Sequence, residues 1–425
     1  MKFYIYNLGC KVNSYETNIM KEKLESAGYI EGDEDNSDIY IINTCTVTNT
    51  SDNKSLKLIR RVLRNHPDKI TIACGCMTQV NSLYLKDLNV KVIIGNKGKS
   101  KITDYINQYL KTKEQIIDIT DFKDDKFEDM CLNNFNKTRA FVKIEDGCEN
   151  FCSYCIIPYA RGPVRSKDPE LVIEEVNNLI KNGHKEIVLT GIHTGHYGAD
   201  INYSFANLLK RLVSIKGLER LRISSIEITE ITDEVLDVLK NNSNLVSHMH
   251  IPLQSGSDAI LKLMNRKYDK KYFIDKIKKL RSIRSDISIT TDVIVGFPSE
   301  TDELFNETID TIKKIGFSKI HVFPFSLRKG TKAENIQNHV DDITKKRRVK
   351  ELVELSKELE NKYMDKFINK NVLVLPEIIK DGYLLGHTDN YLNVRVKGNT
   401  ELLNEIITVK ILKNNYPYLD GELVK

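Results

Sequence analysis

Residues 140–155 read Ala140-Phe-Val-Lys-Ile-Glu-Asp-Gly-Cys148-Glu-Asn-Phe-Cys152-Ser-Tyr-Cys155. The stretch joins an apolar strand, Ala140–Glu145, to a loop whose three thiols are separated by three and then two residues. A structural zinc site takes four ligands, usually in two pairs, and no fourth cysteine or histidine stands nearby. Three thiolates on one compact loop suit a cubane iron–sulfur cluster that keeps one iron open to a substrate or cosubstrate. A structural metal site or a chance spacing are the plainer alternatives.

Outward from this loop the strand-plus-helix pattern repeats. Strand-like runs recur at 186–191, 221–225, 247–253, 287–296 and 319–325. Helix-like runs such as 169–182, 203–215, 233–241, 268–283 and 300–315 lie between them. Six β/α units in tandem predict an α/β fold whose parallel sheet curls toward a partial (β/α)6 barrel. The working face of such a barrel is the carboxyl end of its strands, where the triplet falls. This core is assigned to 134–365, after an acidic, asparagine-rich linker at Asp121–Thr138.

The first 115 residues form a separate parallel α/β unit. Strands at Phe3–Asn7, Asp38–Asn43 and Ile70–Ala73 end just before Cys10, Cys45 and Cys76. Parallel strands bring their carboxyl ends to one edge, so a second thiol cluster can form there; three ordinary buried cysteines explain the pattern as well. Cys74, two residues from Cys76, leaves the choice between them open on an extended segment. Cys131 lies in the linker and is given no role. Beyond a charged helix at Asp341–Phe367, residues 366–425 turn to short strands broken by Asp381-Gly382 and Gly398-Asn399, the pattern of a small all-β barrel. Such a barrel either binds oligonucleotides or caps the core.

Composition narrows the classes. The chain has 425 residues, 40% hydrophobic and 29% charged, which excludes wholesale disorder and implies two or three domains. No apolar run approaches the ~18 residues of a membrane span, and the start lacks the apolar core of a signal peptide. A cytoplasmic protein is expected, and its eight cysteines then bind metal or do chemistry rather than form disulfides. The net charge of +5 is compatible with a polyanionic partner without requiring one.

With these motifs in place, the chain resembles the radical S-adenosylmethionine (SAM) methylthiotransferases along essentially its whole length. The triplet, with Tyr154 before its last cysteine, is similar to the superfamily's cysteine motif. Cys10, Cys45 and Cys76 stand in the family's contexts Gly-Cys-Lys-Val-Asn, Asn-Thr-Cys and Gly-Cys-Met, and Cys76 rather than Cys74 is matched to the third ligand. The C-terminal unit looks like the RNA-binding TRAM module. Residues 152–166, 189–195 and 250–257 are similar to the branch acting on N6-threonylcarbamoyladenosine beside the tRNA anticodon; the isopentenyladenosine branch carries different residues after the cysteine motif. Ser299 departs from the family, which more commonly has glycine there.

The resemblance implies two [4Fe-4S] clusters and SAM as cofactors, the tRNA anticodon loop as partner, and a low-potential electron donor of flavodoxin or ferredoxin type to a monomeric enzyme. Sulfur insertion at C-2 of adenine, whose C–H is neither acidic nor attached to a leaving group, demands radical chemistry from a cofactor. The Cys148/Cys152/Cys155 cluster would bind SAM at its open iron and cleave it to a 5′-deoxyadenosyl radical, and the auxiliary cluster would carry the sulfur. Tyr154, Gly191, Ser224, Glu227, Gln254 and Asp292 are candidate SAM contacts. Gly191 reads equally as a turn, Ser224 as a local backbone hydrogen bond, and Glu227 and Asp292 as helix caps. His193 and His250 could each pair with a carboxylate, though either alone reads better as a satisfied structural histidine. Arg161 and Arg165 are candidates for a phosphate or for the modification's carboxylate. Lys54, Lys57, Arg61 and Arg64 on one helix face, and the run Lys345–Arg348, either touch RNA or only solvate their helices. Two readings compete: methylthiolation of isopentenyladenosine, and a non-catalytic RNA-binding protein stabilised by metal.

Overall fold

The computed structural model describes residues 1–119, 121–122 and 126–424. Of the expected linker, residues 123–125 lie outside the described residues, as does Lys425 of the expected C-terminal unit.

The N-terminal sheet contains β1 (Lys2–Asn7), β2 (Ile30–Glu31), β3 (Ile39–Thr44), β4 (Ile70–Gly75), β5 (Val92–Ile94) and β6 (Ile116–Asp118), in the order β2-β1-β3-β4-β5-β6 and parallel throughout. Its central strands are buried on both faces, which is why Ile39–Ile42 is a continuous apolar run rather than an alternating one. The crossovers include α1 (Lys11–Ser26), α2 (Asn49–Asn65), α3 (Cys76–Lys86) and α4 (Ile102–Thr112). Thr48 caps α2 by accepting from the Ser51 amide, and Ser55, Ile59 and Val62 turn inward while Lys54, Lys57, Arg61 and Arg64 stay exposed.

The central unit has two three-stranded parallel sheets. Strands β7 (Arg139–Lys143), β10 (Glu186–Thr190) and β11 (Arg220–Ile223) make one; β12 (His248–His250), β13 (Ser288–Val295) and β14 (Lys319–Pro324) make the other. A short antiparallel ladder of β8 (Glu145–Asp146) with β9 (Arg165–Ser166) lies beside them. A parallel bridge between Leu221 and Leu245 joins the two sheets, so six strands form the expected partial barrel. Besides the short helices α5 (Ile157–Arg161) and α9 (Asp258–Leu263), helices that include α6 (Pro169–Lys181), α7 (Phe205–Val213), α8 (Asp233–Asn241), α10 (Lys270–Ile283) and α11 (Asp302–Ile315) pack an apolar core around it. Side-chain caps from Asp168, Ser204, Thr232, Asp269 and Thr301 set where they start. Ser299 takes φ +68°, the left-handed region that glycine enters freely. Its amide donates to the Asn338 carbonyl at 2.9 Å, which holds the serine in that conformation.

Helix α12 (Asp342–Asp365) leads to a closed barrel of β15 (Asn371–Lys380), β16 (Tyr383–Thr388), β17 (Asn393–Lys397), β18 (Ile407–Asn415) and β19 (Tyr418–Leu423), in the order β15-β16-β17-β19-β18. Among the described residues of this barrel, β17 and β19 pair in parallel and the other neighbours antiparallel. Among the described residues no helix is long and apolar enough to cross a membrane.

Candidate functional site

Strands β1, β3 and β4 are neighbours, so the residues that follow them meet at one sheet edge. Cys10 sits at the N-cap of α1, Cys45 follows β3, and Cys76 is the first residue of α3. Gly9 passes so close to Cys45 that a Cβ there would lie 2.9 Å from Cys45 Cβ and 3.0 Å from its Sγ. Cys10 is exposed and Cys45 buried; burial raises the Cys45 thiol above its ordinary value, and Cys76 adds to the rise. Cys74 is elsewhere: it packs among Phe3, Ile41 and Ile72, its Sγ reaches the Ile42 carbonyl at 3.7 Å, and burial pushes its thiol up to about 12. The strand ends at Gly75, so the helix start rather than strand alternation aims Cys76.

Arg161 ties this edge to the core. Its Nε donates to Cys76 Sγ at 3.3 Å, Nη1 to Glu16 at 2.6 Å and Asp146 at 3.2 Å, and Nη2 to Asn13 at 2.9 Å. Asn13 in turn donates to the carbonyls of Leu8 and Thr44, fixing the segments before Cys10 and Cys45. Lys99 and Lys143 also bind Glu16, and Arg165 reaches Asp146 at 3.5 Å. Four buried cations thus share two carboxylates, a surplus of positive charge beside Cys76 that suits an anionic metal–sulfur group. Arg161 and Arg165, expected to face substrate, do not. Arg161 is fully buried with all its donors engaged, and Arg165 is buried against Asp146 and the Pro163 carbonyl.

The second triad is held by backbone. Cys148 N donates to the Gly162 carbonyl at 3.0 Å and Cys155 N to the Cys152 carbonyl at 2.9 Å, while Ser153 is clamped by the carbonyls of Met264 and Leu263. Burial raises the Cys148 thiol and pushes Cys155 up to about 12; iron binding would have to displace those protons. Arg266 Nη1 donates to Cys152 Sγ at 3.2 Å, and the same guanidinium pairs with Glu227. Among the described residues, the three His, Cys, Asp or Glu donors lying within 4.8 Å of one another are His193, His196 and Glu230; neither cysteine triad closes to that single-ion spacing. Thiols spread beyond single-ion spacing beside buried cations fit iron–sulfur cages better than one zinc ion.

The candidate SAM residues divide. Gly191, Ser224 and Asp292 line one cavity of about 510 Å³ together with Cys10, whereas Tyr154, Glu227 and Gln254 do not line it. A Cβ at Gly191 would meet Glu145 Oε2 at 2.7 Å, so any side chain there would have to push the Glu145 carboxyl aside. Ser224 Oγ lies 3.4 Å from Thr190 Oγ1. Glu227 is spent on Arg266 rather than on a helix cap, and Tyr154 packs edge-on to Phe297 beside the triad. Gln254 takes φ +63° and bridges to Val293 through its backbone. Asp292 pairs with His250 at 3.2 Å, and His193 with Glu230. Glu145 was not anticipated: it is buried, its Oε2 accepts from the His193 amide, and its Oε1 has no partner among the described residues. Burial pushes the Glu145 carboxyl well above the ordinary carboxylate range, so a cation meeting its unpaired oxygen would be needed to keep it charged.

The family model for the radical SAM superfamily matches residues 142–312, and that for an uncharacterized protein family, UPF0004, matches 2–95. The chain is 43% identical to the threonylcarbamoyladenosine tRNA methylthiotransferase MtaB of Bacillus subtilis (strain 168), covering 99% of this chain and 96% of that one. This chain belongs to the radical SAM tRNA methylthiotransferase family. It is an enzyme of that kind, and SAM and [4Fe-4S] clusters are the family's cofactors. A tRNA-2-methylthio-N(6)-dimethylallyladenosine synthase of Clostridium botulinum (strain Langeland / NCTC 10281 / Type F) is 34% identical over 99% of this chain and 96% of its own length. In fold, the chain is similar to the radical S-adenosylmethionine methyltransferase TsrM from Kitasatospora setae, with TM-score 0.56 and 13% identity over 76% of this chain and 72% of that one.

In the basic run Lys345–Arg348, Arg348 is buried against Glu300 at 2.6 Å and is unavailable to RNA. Lys11, Arg139 and Tyr391, all lining the cavity, were missed by sequence reasoning. Tyr391 comes from the loop between β16 and β17, and nothing local in the sequence announces that the loop enters the core.

Proposed function

We propose that this family member adds a methylthio group to C-2 of N6-threonylcarbamoyladenosine at position 37 of tRNA. The observation that carries the reading is one cavity lined jointly by Cys10, by residues along the inner face of the partial barrel and by Tyr391 of the C-terminal barrel. A base turned out of the anticodon loop would find there the three units the reaction needs.

Cys148, Cys152 and Cys155 would hold the SAM-binding cluster, and Cys10, Cys45 and Cys76 the auxiliary one. Bound there, the two clusters supply the electron that opens SAM and the sulfur that is transferred. The chain's own residues bind and orient. Arg266 donates to Cys152 Sγ and disperses charge at that thiolate. Arg161 does the same for Cys76 and fixes the segments carrying Cys10 and Cys45 through Asn13. Glu145 packs Oε2 against Gly191 and leaves Oε1 unpaired, a carboxyl that a ligand ammonium would hold ionised. The donor of electrons is of the low-potential flavodoxin or ferredoxin class, and the chain acts as a cytoplasmic monomer on tRNA. Residues 366–425 bind that tRNA as a TRAM module.

The test is anaerobic reconstitution followed by incubation with tRNA carrying threonylcarbamoyladenosine or isopentenyladenosine, read by nucleoside mass spectrometry. Methylthio product from the first substrate alone, absent in Cys152→Ala, is expected. Product that persists in Cys152→Ala, or that forms only from isopentenyladenosine, refutes the proposal.

A further inference from the structure

The wall of the cavity that faces the C-terminal barrel is more cationic than its partners require. Arg222 is buried and pairs with Glu186 at 2.6 Å through Nε, while its Nη1 has no partner among the described residues. Glu186 also serves Arg220 at 3.5 Å, and Glu377 serves Arg139 at 2.9 Å. Lys11 has no carboxylate within 4.0 Å among the described residues, and it follows Cys10 directly in the chain. Two carboxylates therefore answer four cations. The acids on the rest of the lining are already used, Asp292 by His250 and Glu360 by Lys319 at 2.9 Å. Burying such a surplus is costly unless an anion arrives to meet it.

Tyr391 organises the wall. His248 and His387 stack on its ring at 4.9 and 4.8 Å, so it has no free face for a base. The guanidinium carbons of Arg222 and Arg139 lie 4.8 and 5.2 Å from its centroid. Arg139 Nη1 donates to the phenol oxygen at 3.2 Å, which leaves the phenol's own proton to be donated onward. Lys11, Arg222 Nη1 and the Tyr391 hydroxyl thus offer donors with an acceptor missing between them.

We infer that Lys11, Arg222 and Tyr391, with Arg139 behind them, form a carboxylate-binding subsite that reads the free carboxylate of the threonylcarbamoyl group. The inference rests on the proposed function and names what selects that substrate. A threonyl carboxylate hangs from the same N6 as the base being modified, so it enters the cavity with the base. A backbone phosphate is the other anion at hand. It is tethered to two nucleotides, and a cavity of about 510 Å³ takes a single base with its side chain. An isopentenyl group, with no charge, leaves the donors unsatisfied, which is how a site built for a polar group rejects an apolar analogue.

The test measures binding by fluorescence anisotropy, on anticodon stem-loops carrying either the threonylcarbamoyl group or its carboxamide analogue. At one fixed salt concentration the wild type should bind the carboxylate RNA at least about tenfold more tightly, the order expected from one lost charge-assisted hydrogen bond. Lys11→Met should lose affinity for the carboxylate RNA only, bringing the two constants together, and Tyr391→Phe should do so in part. Both variants remove no partner of a buried carboxylate and so keep the fold. Equal binding of the two RNAs by the wild type overturns the inference alone if methylthio product still forms. Equal weakening of both RNAs by Lys11→Met overturns it in favour of a phosphate contact. No product from loaded wild-type enzyme on the carboxylate RNA overturns the proposed function and the inference with it.

Discussion

Glu16→Gln removes one negative charge from the buried knot beside Cys76 and keeps its shape. Glu16 is fully buried and accepts from Arg161 at 2.6 Å, Lys143 at 2.8 Å and Lys99. Its carboxyl is buried, which alone would raise it, yet the three cations hold it well below the ordinary carboxylate range. With glutamine, only Asp146 remains to answer Lys99, Lys143, Arg161 and Arg165. Breaking a buried ionic group by removing one member costs about 3–5 kcal/mol. For a unit of roughly 200 residues this lowers the melting midpoint by about 10 °C. Scanning the metal-free chain by circular dichroism isolates the effect from cluster binding. Adding Lys143→Met to Glu16→Gln should restore part of the loss, because the second change removes a stranded cation. A Glu16→Gln chain that melts within about 1 °C of the wild type would refute the claim that this knot joins the N-terminal sheet to the core.

Asp146 supplies an acid-side test of the same knot. Burial raises it, but Arg161, Lys143 and Arg165 outweigh this and hold it at about 2. A depressed carboxyl stabilises above its unfolded value near 4 and loses that contribution as pH falls to about 2, roughly 2 kcal/mol in all, so acid melts of wild type and Asp146→Asn should converge across that window. Cys155 and Cys74 stand at about 12, so alkylation of these thiols in the metal-free chain at pH 8 should be slow and rise about tenfold per pH unit up to that value; flat rates between pH 8 and 10 would contradict it. Cys74→Ala should retain the iron content of the wild type at a cost of about 1 kcal/mol, since the thiol packs in the apolar core, whereas Cys76→Ala should lose roughly half the iron on reconstitution, one of two clusters. Arg266→Gln removes the donor to Cys152 Sγ and leaves Glu227 unpaired, so it should shift the reduction potential of the reconstituted SAM cluster and slow SAM cleavage about tenfold or more, read by spectroelectrochemistry and 5′-deoxyadenosine release.

What was legible in the sequence is what local periodicity and short spacing encode. The six core strands, the parallel N-terminal unit and the two cysteine triads follow from strands that end in a thiol or in a thiol-bearing loop. The Cys74–Cys76 choice was not legible, because it depends on where a strand stops and a helix starts, and Gly75 makes that change in one residue. The role of Arg161 was misjudged for a related reason. Nearness to the cluster loop in sequence put it at the substrate, while its partners Glu16 and Asn13 lie some 145 residues away. Arg139, Arg222 and Tyr391 come from three distant segments, and only the closed assembly shows that their charges meet at one cavity.

The same long-range charges explain how two clusters could be kept at one working distance. Each auxiliary thiol neighbourhood is gripped by a cation from the core. Arg161 holds Cys76; Arg328 donates to Thr46 at 2.7 Å and Asn49 at 2.8 Å and pairs with Asp52 at 2.8 Å, fixing the turn after Cys45. The segment before Cys10 is held through Asn13, which Arg161 also binds. Hydrophobic packing alone would let the two layers slide, since it is indifferent to register, whereas a guanidinium with three fixed acceptors admits one arrangement. Arg328→Met should therefore leave the SAM-binding triad and its cleavage of SAM intact while slowing sulfur transfer. An equal drop in both rates would mean that Arg328 serves the fold as a whole and not the spacing of the two sites.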